Sequence, residues 1–198
     1  MTKSQRTRYF IVESIAEMFN KRGYSGTSMT DVETVTGLSR GTIYHHFDNK
    51  EDIALAAFDY NFEKLCKLVE DHTRTSRSFY DKLVVYAEVY HMIATDVFVS
   101  GGSPIINTAI EADDTNMLLR ERAIWAIKKK ENTIADIIDM GIRSGEFKKG
   151  TNVRQMAVAI LSSLEGGLIL SRTTQDPIRM ACVTASVRAL IDSMITNA

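Results

Sequence analysis

The sequence predicts an all-α fold: a head of three short helices followed by a larger helical body. Three observations lead there. Apolar residues recur at spacings of three and four along nearly the whole chain. No stretch alternates apolar and polar residues as a half-buried strand would, and there is no internal repeat. Gly, Pro and Ser clusters interrupt the pattern at intervals suited to helix–helix connections. A chain of 198 residues with 44% hydrophobic content has enough apolar side chains for a sizeable core. No run reaches the roughly 18 uninterrupted apolar residues expected of a membrane helix.

The N-terminus, Met1 to Arg8, leads straight into the first helix with no apolar leader segment. That helix carries Val12, Ile15, Ala16 and Phe19 on one stripe and ends at Gly23. Thr27 and Ser28 are placed to cap a second helix, with Asp31 in its first turn, where it suits the helix dipole. Val32 and Val35 face inward, and Gly37 supplies a left-handed stop. Ser39 caps a third helix whose buried stripe is Ile43 and Phe47. Arg40, Gly41, Thr42, Tyr44, His45 and His46 point away from that stripe or lie at the helix start. Asp48 caps a fourth helix with Glu51 as its capping-box partner, so Lys50 falls in the first turn. A cation is unfavourable there unless an anion sits nearby, and a phosphate would be one.

Phe58, Phe62, Leu65 and Val69 carry the fourth helix to about Thr73, and residues 74–78 form a polar connector. Phe79 through Val99 is apolar nearly all round, so neighbours must enclose it. Gly101-Gly102-Ser103-Pro104 breaks the chain, and Pro104 suits the first turn of a helix to about Ala112. A long helix follows from about Asp114 to Arg143, with Asp113 and Asp114 placed to cap it. The last two run from about Asn152 to Arg172 and from about Pro177 to Ile195. Their stripes are Met156, Ile160, Leu161, Leu164 and Leu168, then Met180, Val183, Thr184, Val187, Ile191 and Met194, spaced almost as heptads. These stripes face either a second copy of the chain or the protomer's own core. Gly166-Gly167 costs about 1 kcal/mol per residue against alanine inside a helix, which close helix–helix approach would offset.

Residues 27–47 form two short helices joined by a glycine turn, the pattern of a DNA-reading helix-turn-helix. Arg40, at the start of the second, is the candidate for a bidentate guanine contact. Thr42 suits a base edge or a thymine methyl, Gly41 permits close approach, and His45 faces a base or a phosphate. Adjacent residues on a helix point about 100° apart, so His45 and His46 are not a metal pair. Residues 1–50 hold seven Lys+Arg against five Asp+Glu, while the remainder holds seventeen against twenty. Sequence-independent affinity for nucleic acid is therefore modest and salt-dependent, with specificity left to a few side chains.

The segment from Ile11 to Ile53 resembles the N-terminal domain of the tetracycline-repressor-like (TetR) family of one-component transcriptional regulators. The resemblance rests on Ile15-Ala16-x-Met18-Phe19, Gly23-Tyr24, Thr27-Ser28-Met29-x-Asp31-Val32, Gly37-Leu38-Ser39-x-Gly41-Thr42-Ile43-Tyr44-x-His46-Phe47 and Asn49-Lys50-Glu51. Glu33-Thr34 departs from the family's usual alanine at the first of these positions, a change expected to affect helix packing more than DNA contact. The resemblance implies a helix-turn-helix DNA-binding domain at 1–50 and a helical ligand-binding and dimerisation domain at 51–198. It makes Tyr44, His46 and Lys50 phosphate contacts, with Thr27 or Ser28 anchoring a phosphate at the preceding helix. It also implies a four-helix dimer interface built from the last two helices.

The resemblance further implies an inducer cavity in the body. Tyr86, Tyr90, Met92, Phe98, Ile105, Ile106, Trp125 and Met140 supply aromatic and flexible lining, and His91, Asn107 and Glu111 are candidate polar anchors. The same residues also suit plain core packing. No cofactor or metal site is expected: Glu111, Asp113 and Asp114 converge too few ligands, and Cys66 and Cys182 lack metal spacing and suit reduced thiols in a cytoplasm. No phosphate loop, nucleophile elbow or zinc-type His-Glu spacing suggests an enzyme. The expectation is a homodimeric repressor on a palindromic operator, released by a small, mainly apolar ligand. The alternative is a DNA-binding adaptor without inducer, whose helical body grips a protein partner.

Overall fold

The structure is a computed structural model that describes residues 1–95 and 100–196. Among the described residues the helices are α1 (Lys3–Arg22), α2 (Met29–Thr36), α3 (Arg40–Tyr44), α4 (Lys50–Thr73), α5 (Phe79–Thr95), α6 (Pro104–Ala112), α7 (Met117–Ser144), α8 (Val153–Thr174) and α9 (Pro177–Met194). The predicted all-α class is observed. Val97, Phe98 and Val99, expected to finish the fifth helix, lie outside the described residues.

The chain divides into two compact units, Met1–Leu65 with Val99–Ile124, and Cys66–Phe98 with Trp125–Ala198. The first unit therefore extends beyond the three-helix head. Its core gathers Ile11, Ile15 and Phe19 of α1, Val32 of α2, Ile43 and Phe47 at α3, Ile53 and Ala57 of α4, Ala112 and Leu119. Helices as short as α2 and α3 are not stable alone. Each large apolar side chain fully buried here contributes roughly 1.5–3 kcal/mol, which holds them in place. Thr2 caps α1 through a capping box with Gln5. Polar contacts then fasten α6 to the end of α1. Asn20 Nδ2 donates to the carbonyls of Ser100 and Gly102 at 2.8 and 3.0 Å. Asn107 Nδ2 donates to the carbonyls of Asn20 and Gly101, both at 2.9 Å. Glu111 accepts the backbone N–H of Tyr24 and Ser25 at 2.8 and 2.7 Å. Gly23 makes this possible: its φ is +72°, and a Cβ there would sit 2.3 Å from a Glu111 oxygen.

In the second unit α8 packs on α9 and α5. The fully buried side chains include Leu83, Val89 and Ile93 of α5, Ile134 and Ile138 of α7, Leu164 of α8, and Val187 and Ile191 of α9. The heptad-like stripes of α8 and α9 resolve here. Ile160, Leu161, Leu164, Leu168, Met180, Val187, Ile191 and Met194 are buried within one chain, so they fill the protomer's own core. At Gly167 a Cβ would fall 2.8 Å from Val183, the close α8–α9 approach expected of that glycine. Next to it, Gly166 faces open space. By length and composition α8 is the one helix among the described residues able to cross a membrane; here its apolar stripe is taken by α5 and α9. An antiparallel bridge between Phe147 and Ile195 ties the end of α9 to the α7–α8 connection.

Of the two predicted caps of α2, Ser28 serves and Thr27 does not, and two further caps shift. Asn49 rather than Asp48 caps α4, accepting the Asp52 N–H at 2.9 Å, and Glu51 instead accepts from Asn116. Asn116, not Asp114, caps α7 by accepting the Leu119 N–H at 2.9 Å. In each case several oxygen-bearing side chains compete, and the cap is the one whose oxygen reaches the N–H three residues on.

Candidate nucleic-acid interface

The Thr27–Phe47 segment folds as the sequence suggests. Ser28 Oγ accepts the Asp31 N–H at 3.1 Å, and Asp31 accepts the Ser28 N–H at 2.8 Å, a reciprocal box. The Ser28 hydrogen bonds hold the Asp31 carboxyl below the usual carboxylate range. Gly37 takes the left-handed conformation, φ +68°, that ends α2. Ser39 Oγ accepts the Thr42 N–H and opens α3. The helix is shorter than expected, ending at Tyr44, and Phe47 reaches the core through a turn over His45 and His46.

Two expected positions are corrected. Val35 is 48% exposed, because only Val32 and Thr36 of the two-turn α2 face the core. Thr27 is fully buried and its hydroxyl donates to the Gly23 carbonyl at 2.8 Å, so its side chain is not available to a phosphate. Ser28 remains exposed at the mouth of α2.

The outward face of α3 carries Arg40, Gly41, Thr42, Tyr44 and His45, all exposed, with His46 half-buried beside them. His45 and His46 meet edge to face at 5.1 Å, and His46 Nδ1 lies 3.4 Å from Ser4 Oγ. Lys50 Nζ rests 4.2 Å from the Tyr24 ring centroid, a cation–π contact that holds the ammonium at the first turn of α4. Arg40 is gripped by Glu33. Its Nε and one terminal nitrogen donate to the two carboxylate oxygens at 3.0 and 3.2 Å, and a third, longer bond reaches Thr30. This pairing raises the Arg40 pKa further. Glu33, expected to affect packing more than DNA contact, thus bears directly on the best base-reading candidate.

Gly41 gives an independent indication. A Cβ there would meet nothing within 4 Å, and its φ is not positive, so nothing among the described residues requires glycine. Glycine in a helix is unfavourable by up to about 1 kcal/mol against alanine, and a surface approaching from outside would explain its use. Gly41→Ala is therefore expected to hold or raise the thermal stability while weakening operator binding by about 1–3 kcal/mol per half-site through overpacking. Melting curves and gel-shift titrations on the same protein check the two opposite signs.

The eight candidate ligand residues separate. Ile105, Asn107 and Glu111 belong to the first unit, where the polar pair is committed to α1. Tyr86, Tyr90, His91 and Trp125 belong to the second, and Phe98 lies outside the described residues. Trp125 is 42% exposed with Lys129 Nζ 5.0 Å from its ring, and Met140 is also exposed, so neither is core lining within the chain. Tyr86 and Tyr90 do come together, stacked at 5.8 Å and fully buried. The Tyr90 hydroxyl donates to Glu165 at 3.0 Å, and burial beside that carboxylate pushes its pKa well up.

Lys130 and Glu165, both buried, were not singled out from the sequence. A signal was there. Lys130 falls on the α7 stripe Leu119, Ala123, Ala126, Ile134 and Ile138, and Glu165 lies four residues from Leu161.

Comparison with known proteins follows the same lines. The family model described as "Tetracyclin repressor-like, C-terminal domain" matches residues 80–187, and "Bacterial regulatory proteins, tetR family" matches residues 11–57. A solved TetR-family transcriptional regulator from Cytophaga hutchinsonii is 36% identical with a TM-score of 0.96, covering 100% of this chain and 99% of that one. Another, from Chloroflexus aurantiacus J-10-FL, is 34% identical with a TM-score of 0.93, covering 100% of both chains. The fatty acid metabolism regulator protein of Bacillus subtilis (strain 168) is 25% identical over 197 residues, 98% of this chain and 99% of its own. These relatives regulate transcription and are not enzymes. With both its head and its body matched, this chain belongs to the TetR family of transcriptional regulators.

Proposed function

We propose that the chain is a cytoplasmic, homodimeric repressor that reads a palindromic operator through α3 and is released by a small, mainly apolar effector held in its body. The observation that carries the DNA-reading part is the outward ridge of α3. Of the six consecutive positions 40–45, all but Ile43 are exposed donors or glycine, and among the described residues nothing gives Gly41 an internal reason to be glycine. In this reading residues 1–50 form the DNA-binding domain and 51–198 the ligand-binding and dimerisation domain. Arg40 and Thr42 face bases, His45 a base or phosphate, and Ser28, Tyr44, His46 and Lys50 the backbone. Two-fold symmetry doubles a contact set that one short helix cannot make sufficient alone.

Release requires that the effector prefer one conformation of the dimer, since equal affinity for both shifts nothing. The helix α4 is the natural lever because it carries Lys50 in its first turn and continues into the second unit at Cys66. The stacked Tyr86–Tyr90 pair is the best-supported part of an effector site. Selection from randomised duplexes, with sedimentation of the protein and the complex, tests the proposal; a monomer without sequence preference at low salt overturns it. Lys50→Ala is expected to weaken binding about equally for all sequences and to reduce the salt slope by about one per half-site. Titrations at several salt concentrations measure both.

A further inference from the structure

We propose that Glu111 and Tyr24 are positioning residues for DNA binding: Glu111 fixes the turn after α1, and Tyr24, carried on that turn, holds the Lys50 ammonium for a backbone phosphate. The inference rests on the phosphate contact proposed above for Lys50 and extends it beyond the helix-turn-helix to α6. All three residues belong to the first unit. The two oxygens of Glu111 each accept one N–H, from Tyr24 at 2.8 Å and from Ser25 at 2.7 Å. The Tyr24 ring centroid lies 4.2 Å from Lys50 Nζ. A series of contacts thus runs from α6 to the first turn of α4.

Lysine carries its charge on a flexible stem, and the amino-terminal turn of a helix repels a cation. With no partner, the Lys50 ammonium would swing out into water. The face of the Tyr24 ring attracts it and keeps it at the helix start. Asp31 attracts the same ammonium, but its oxygens are taken by Ser28 and Arg22. The ring in turn is only as well placed as the backbone that carries it. Residues 23–26 begin and end on glycine, the residue that leaves a chain most freedom. Two charge-assisted bonds to consecutive N–H groups restrict that freedom. The Thr27 hydroxyl, bonded to the Gly23 carbonyl, closes the far side of the turn. On charge alone an acid in a DNA-binding unit opposes binding, so the effect of Glu111 through Lys50 has the opposite sign to its effect as a bare charge.

The test is a cycle of Glu111→Ala and Lys50→Ala in the full-length protein, read by gel shift on two probes. One is the duplex selected by the unaltered protein, the other a random-sequence duplex of equal length. Glu111→Ala is expected to weaken both about two- to fivefold per protomer, the worth of one screened charge contact. In the Lys50→Ala background it should change nothing, since the residues act as one unit. A merely structural role would weaken binding in both backgrounds. Tyr24→Leu should reproduce the loss, and Tyr24→Phe, which keeps the ring face, should restore binding. That pair leaves the Glu111 bonds in place and carries the test if Glu111→Ala folds poorly. No loss or tighter binding with Glu111→Ala, equal losses in the two backgrounds, or Tyr24→Phe as weak as Tyr24→Leu each overturns the inference alone, provided Lys50→Ala itself weakens binding. If Lys50→Ala binds both probes as well as the unaltered protein, the parent assignment of Lys50 falls too.

Discussion

Ala185→Arg is expected to give a folded monomer whose operator affinity falls by about 10²–10⁴, the advantage that linking two binding modules confers. The position follows from what the single chain leaves uncovered. The large stripes of α8 and α9 are consumed internally, so a partner must use another face. On α8 that face carries Val158, Ser162, Gly166 and Leu170, and on α9 it carries Ile178, Ala181, Ala185 and Ala189. Apart from half-buried Gly166, all of these are exposed in one chain. Leu170 and Ile178 are 56% and 69% exposed, and Gly166 has open space where a Cβ would go. Small residues flanked by large exposed apolar ones suit close packing of two helix pairs about a two-fold axis. An arginine at Ala185 would meet its symmetry mate and place two charges in a desolvated contact. Sedimentation reports the monomer and gel shift reports the loss. A variant that remains dimeric with full affinity would put the interface elsewhere.

Much of the fold was legible because helix periodicity and capping are local. Ile15, Phe19, Ile43 and Phe47 were read as core from spacing alone, and all are buried. Cap identity was less legible. Asp48 and Asn49 are adjacent and chemically equivalent as acceptors, so the choice between them is made by tertiary placement of the chain. The α8 and α9 stripes show a deeper limit: a heptad-like pattern states that a face is buried without saying against what. Asn107 and Glu111 were read as polar anchors by type, whereas they fasten Asn20 and the turn that follows it, each pairing 87 residues apart in sequence. Lys130 ends the run Lys128-Lys129-Lys130, which reads as a solvated charge cluster until its register with Ala126 and Ile134 is considered.

Arg40→Ala is expected to remove about 1–3 kcal/mol of discrimination at one base pair in each half-site, twice over for the dimer, while leaving phosphate-driven affinity largely intact. Glu33 determines how this side chain behaves. A free arginine samples many rotamers and loses that freedom on binding, whereas Arg40 is already forked onto a carboxylate at 3.0 and 3.2 Å. Both groups are partly exposed, so the pair itself adds little to stability. Its consequence lies in aim. With Nε engaged by Glu33 and one terminal nitrogen shared between Glu33 and Thr30, the two N–H groups of the other terminal nitrogen are left for a base. Glu33→Gln should therefore flatten the preference at the same base pair, by less than Arg40→Ala does. In the Arg40→Ala background it should have almost no effect, the non-additivity expected of two residues acting as one unit. Selection from half-sites randomised at each position reads all four corners of this cycle. If Glu33→Gln sharpened the preference instead, the carboxylate would be a competitor that DNA must displace, and α3 would read its operator only after Arg40 had been released.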